Sequence, residues 1–84
     1  MTTAPPLAAE RIIRLTGEVD LARRGDVRGL LATVDDGEPL VVDLSGAGFV
    51  DIQTVALLVR RRGETELRGA SPLVVRVAAL LTEM

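Results

Sequence analysis

"LVVDLSGAGFVDIQTVALLVRR", Leu40 to Arg61, is the stretch whose reading decides the fold. It opens on a near-continuous apolar run that only Asp43 interrupts, and on one face. Such a run marks a central strand of a parallel sheet, where both faces are covered. It closes on a helical pattern in which Ile52, Val55, Ala56 and Val59 form an inner apolar stripe, with Leu58 alongside. Between the two lies an acid, Asp51, placed to cap the helix by accepting the amide of Gln53 or Thr54. Many strand-to-helix junctions carry a chemical site, because the first helical amides point outward unpaired. Here Ile52 and Gln53 follow the acid, where a reactive site usually has hydroxyls or glycines.

The flanking segments repeat the element order. "RIIRLTGEV" (Arg11 to Val19) reads as one strand, with Ile13 and Leu15 alternating with Arg14 and Thr16, and Gly17 loosening its far end. Arg14 lies at the depth of Asp43, so the two are expected to pair across that face. "DLARRGDVRGLLATVDDGEP" (Asp20 to Pro39) reads as a helix. Asp20 caps it, Val27, Leu30, Leu31 and Val34 make its stripe, and "DDGEP" ends it with Gly37 as a left-handed cap. Gly63 ends the second helix. Arg60 to Arg62 before it suit the helix dipole and are expected to be solvated, unless they meet an acidic partner. "TELRGA" (Thr65 to Ala70) is a short third strand. "SPLVVRVAALLTEM" (Ser71 to Met84) is a third helix, capped by Ser71 ahead of a first-turn Pro72, with Val74, Val77, Leu80, Leu81 and Met84 on its stripe. Strand-helix three times over, with right-handed crossovers, places all helices on one face of a parallel sheet.

Bulk composition removes several function classes. The 84 residues make one small domain with a thin stability margin. There is no cysteine and no histidine, so disulfides, zinc fingers, cysteine nucleophiles and the usual general base are absent. Phe49 is the single aromatic, and the net charge is −2 with arginine as every basic residue. Neither feature suits a nucleic-acid binder. "MTTAPPLAAE" (Met1 to Glu10) lacks the pattern of a signal peptide, and no apolar run approaches the roughly 20 residues that span a bilayer. A cytoplasmic domain without direct membrane insertion is the expectation.

Three motifs in order carry a family resemblance. "IRLTGEVDLA" (Ile13 to Ala22), the Leu40 to Arg61 stretch and "GASPLVVRVAALLTEM" (Gly69 to Met84) resemble the STAS domain of anti-sigma factor antagonists and sulphate transporters. The resemblance covers roughly residues 11 to 84. It implies an α/β fold with a mostly parallel sheet of three to four strands and about three helices on one face. It also implies a partner-switching role, in which the domain binds an anti-sigma factor or related serine kinase-like protein until phosphorylation at the head of the second helix ends that binding. Phe49 and Asp51 match the family motif, whereas Ile52 replaces its first serine, Gln53 the phosphorylated serine and Thr54 the glycine. Gln53, at the family phosphoacceptor position, has no hydroxyl to phosphorylate. The family's last strand-helix unit is missing after Met84, and its opening strand is at best short, within Leu7 to Glu10; residues 1–10 otherwise read as a flexible terminus.

The partner-binding surface expected from this resemblance comprises Asp20, Phe49, Asp51, Ile52, Gln53 and Thr54. Thr54 is the substitute acceptor if any residue is phosphorylated, although a first-turn threonine is ordinarily structural. Phe49 is expected to anchor the junction against the core. Ser45 is expected to bond locally at its strand's end. No catalytic residue, metal ligand or cofactor is expected. A carboxylate pair of Asp20 and Asp51 lacks a pocket, and "SGAGFVD" (Ser45 to Asp51) lacks the lysine and spacing of a phosphate loop. The function expected is a regulator of the anti-sigma antagonist class without the phosphorylation switch. The alternative is a structural or accessory subunit of an oligomeric assembly or membrane transporter complex, and a homo-oligomer through an uncovered sheet edge is a further expectation.

Overall fold

The computed structural model describes residues 11–83, so the expectations for residues 1–10 and for Met84 lie outside the described residues. In chain order the elements are β1 (Arg11–Arg14), β2 (Gly17–Val19), a 3-10 turn (Leu21–Arg23), α1 (Arg24–Leu31), β3 (Leu40–Asp43), β4 (Ala47–Val50), α2 (Ile52–Val59), β5 (Thr65–Arg68) and α3 (Pro72–Thr82). The sheet β1-β3-β5 is parallel with β3 at its centre, and Leu40, Val41 and Val42 are all buried there. This is the position that the unbroken apolar run demands. The register sets Ile13, Val42 and Leu67 side by side. These three join one core with Val27, Val55, Leu58 and Val74 from the helices. On the opposite face Arg14 meets Asp43 at 3.5 Å, as the sequence suggested. The hydroxyl and amide of Ser45 bond to the Asp43 carboxylate at 2.6 and 2.9 Å. They hold its pKa below the ordinary value, against the opposing pull of burial and with smaller help from Arg14 and Arg68.

The segment Arg11–Val19 is two strands rather than one. Gly17 turns the chain at φ 73°, a left-handed conformation open to glycine at little cost. The partner segment breaks in step, because Ser45 folds back onto Asp43 and the Ala47 amide turns to the Leu44 carbonyl. Pairing then resumes as a second parallel sheet, β2-β4, with an irregular register between Gly17 and Glu18. Among the described residues the three-stranded parallel sheet and three helices are the α/β architecture expected, and the second sheet of two strands stands beyond it.

The helices are shorter than their patterns. α1 ends at Leu31, not in the "DDGEP" segment, and Gly37 is not left-handed. The Thr33 hydroxyl bonds to the Leu30 carbonyl at 2.6 Å and competes for the group that a further helical turn would use. Val27 and Val34 are buried and Leu31 half-buried, but Leu30 is exposed. In α2 the inward face is Thr54, Val55 and Leu58, so Ile52 points out of the expected stripe. In α3 Val74 is buried, Val77 and Leu81 are half-buried, and Leu80 faces out. Arg61 is only half-exposed. Its guanidinium donates to the carbonyls of Asp35 and Glu38, both at 2.8 Å, and ties the end of α2 to the loop before β3. Gly63 is required at that seam, since a Cβ there would stand 2.5 Å from the Glu38 carbonyl oxygen.

Candidate functional site

Parallel strands feeding helices bring the helix starts to one end of the sheet. Three starts meet there: Asp20 before the 3-10 turn, Asp51 before α2 and Ser71 before α3. Each cap acts as its residue type predicts. Asp20 accepts the Ala22 amide at 3.0 Å, Asp51 the Thr54 amide at 2.7 Å, and Ser71 the Val74 amide at 3.3 Å. Just past each cap an apolar side chain stands in solvent: Leu21 is 70% exposed, Ile52 62% and Leu73 71%.

Phe49 joins them. The expectation that it anchors the junction is overturned, since it is 53% exposed while Ala47 and Val50 of the same strand pack on the core. Leu21, Phe49, Ile52 and Leu73 line one groove of ≈ 610 Å³ with Val74 and Val77 beneath. Clusters of large exposed apolar side chains on a soluble domain mark surfaces that other molecules cover.

Below the groove, Asp51 organises the polar part of the junction. Its amide donates to the Val19 carbonyl at 3.1 Å, and its carboxylate accepts Arg24 Nη2 at 2.8 Å as well as the Thr54 amide. The carboxyl is held below the ordinary aspartate value. The Thr54 side chain contributes most, although its hydroxyl falls short of hydrogen-bond geometry. Burial opposes the shift, and the Thr54 amide and Arg24 reinforce it. Arg24 is mostly buried, and its Nε has no partner among the described residues.

The residues expected from the sequence therefore separate. Asp51, Phe49, Ile52 and Gln53 line the groove, and Asp20 sits just behind Leu21. Thr54 does not reach the surface: it is fully buried on the core side of α2. In this fold it can neither touch a partner nor receive a phosphoryl group. Asp20 and Asp51 do not form an acid–base pair, since each carboxylate is occupied by its own cap and Asp51 also by Arg24. No group of three or more His, Cys, Asp or Glu among the described residues could hold a metal ion. No helix among them is long and apolar enough to cross a membrane.

Sequence reasoning missed Leu21, Arg24 and Leu73. The signal for the two leucines was present, because each follows a cap residue by one or two positions, as Ile52 does, and so lies ahead of the inward-facing third helical positions Thr54 and Val74. Arg24 meets Asp51 across 27 residues of chain, and no local pattern encodes that contact. Compared with known families, residues 6–84 match the family described as "Mlab, STAS domain". No curated protein and no solved structure matches the chain.

Proposed function

The chain belongs to the STAS domain family, and on that footing we propose that it is a regulatory binding domain that docks a partner protein on the groove at the head of α2. The observation that carries the reading is the solvent-facing quartet Leu21, Phe49, Ile52 and Leu73 around one concavity. Exposed apolar side chains gain free energy when a partner covers them, and aromatic and aliphatic anchors dominate protein interfaces. The partner class is that of anti-sigma factors or related serine kinase-like proteins, and the domain acts by occupying the partner rather than by catalysis. Two features favour binding without a phosphorylation switch. Gln53 carries no hydroxyl, and the neighbouring Thr54 hydroxyl is sealed inside the fold.

An accessory role in a larger assembly is the second reading. It is favoured by β5, which lies at an edge of its sheet, and by Val75 and Leu80, which are exposed on α3 away from the groove.

Affinity capture from the native host with wild type and Ile52→Asp side by side tests the leading reading. Wild type retains a protein that Ile52→Asp releases, while circular dichroism shows both equally folded. A charge on the apolar surface costs a partner several kcal/mol of desolvation. Equal capture by the two proteins places the interface elsewhere. A gain of one phosphate mapping to Thr54, after incubation with the captured kinase and ATP, removes the claim of an unswitched domain.

A further inference from the structure

A second groove, of ≈ 400 Å³, runs between α1 and α2 and adjoins the first, with Arg24 and Gln53 lining both. Four arginines line it: Arg24 and Arg28 from α1, Arg60 and Arg61 from the end of α2. Arg24 is held by Asp51, and Arg61 by backbone carbonyls. Arg28 and Arg60 are exposed and, among the described residues, their guanidinium groups have neither a hydrogen bond nor an ion pair. Asp36 is the one acid in the lining. The chain as a whole carries −2, so this concentration of positive charge is local.

We infer that this groove takes the carboxylates of an acidic, amphipathic segment of the partner protein, whose apolar side lies on the adjoining groove at the head of α2. The inference rests on the docking reading above and adds the partner's chemistry. Like charges lining one concave surface repel each other, and an incoming anion relieves that repulsion. Guanidinium groups favour carboxylates because two parallel N–H donors match two oxygens. The shared lining residues make the two grooves one continuous surface, apolar at one side of Arg24 and basic at the other. A segment with leucine-like residues on one face and Asp or Glu beside them matches that division. A nucleic acid does not: the net charge repels it at a distance, and Phe49 is the single aromatic that could stack a base.

The test is selection of binders from a random peptide library displayed on phage, against wild type, Ile52→Asp and the double variant Arg28→Glu/Arg60→Glu. Both substituted arginines are exposed, so the double variant keeps the fold, with circular dichroism as the check. Peptides recovered on wild type carry Asp or Glu next to apolar residues, and those recovered on the double variant lose that acidity. By fluorescence anisotropy, replacing the acids of one recovered peptide with Asn or Gln weakens binding to wild type about tenfold. The same replacement changes binding to Arg28→Gln/Arg60→Gln by less than about twofold. Wild-type binders that are apolar without acidic residues overturn the inference and leave the docking reading standing. Acid enrichment that persists on the double variant overturns it too, as does full displacement of the peptide by inorganic phosphate or by single-stranded DNA. Binders indifferent to Ile52→Asp, or no binders at all, remove the docking reading and the inference with it.

Discussion

Replacing Asp51 with alanine should destabilise the domain by roughly 2–3 kcal/mol, by two routes that can be separated. The first is the cap. The carboxylate accepts the Thr54 amide at 2.7 Å, and the loss of an N-cap of this kind costs about 1 kcal/mol. The second is the ion pair. Arg24 Nη2 lies 2.8 Å from Asp51, with side chains 16% and 22% exposed. Stranding one member of a fully buried pair costs roughly 3–5 kcal/mol, and residual solvent at this pair reduces that to about 1–2 kcal/mol. A domain of this length has roughly 4–13 kcal/mol in total, so the change is a large share of it. Urea unfolding of wild type, Asp51→Ala, Arg24→Ala and the double variant forms a complete cycle. Coupling of about 1 kcal/mol or more between the two sites is expected. A loss below about 0.5 kcal/mol for Asp51→Ala, or strict additivity in the cycle, would refute the reasoning.

Acid should expose the same group. Asp43 and Asp51 both have carboxyls held below the ordinary value of 3.8, so the folded state binds their protons less readily than the unfolded chain does. Their contribution is complete at neutral pH and is lost as pH falls through 3.8 toward the folded values, so urea midpoints should drop over that window in wild type and drop less in Asp51→Asn. Phe49→Ala should cost less than about 1 kcal/mol in urea, well short of the roughly 3–5 kcal/mol of a buried phenylalanine, while weakening partner binding; a loss in the buried range would return Phe49 to the core. Gly63→Ala should destabilise by roughly 1–3 kcal/mol, because its methyl meets backbone at the Arg61 seam, and an unchanged midpoint would mean that the seam is loose.

The sequence carried the parts of the fold that depend on local periodicity and end chemistry. The near-continuous apolar run at Leu40–Leu44 marked the central strand, Asp20, Asp51 and Ser71 marked helix starts, and Pro72 fixed the first turn of α3. It misled where a side chain's direction depends on tertiary packing. A stripe that includes Ile52 and one that includes Thr54 share the helical period and differ only in phase, and a buried threonine is the less expected inward residue. Phe49 was expected inside because it is the single aromatic, yet Ala47 and Val50 hold its strand to the core. The break of two strands into four follows from Gly17 and from the Asp43–Ser45 turn, which act together across the chain. The site was legible in part: Phe49, Asp51, Ile52 and Gln53 line the groove as expected, whereas its other walls, Leu21 and Leu73, come from segments far apart in sequence.

Hydrogen–deuterium exchange of the chain, free and with its captured partner, tests the central claim most directly. The account predicts protection concentrated at Leu21, at Phe49 to Gln53 and at Leu73 to Val77, with the amides of β5 unchanged. Protection along Thr65–Arg68 with the start of α2 unchanged would contradict it and would make the sheet edge, not the head of α2, the surface through which this domain works.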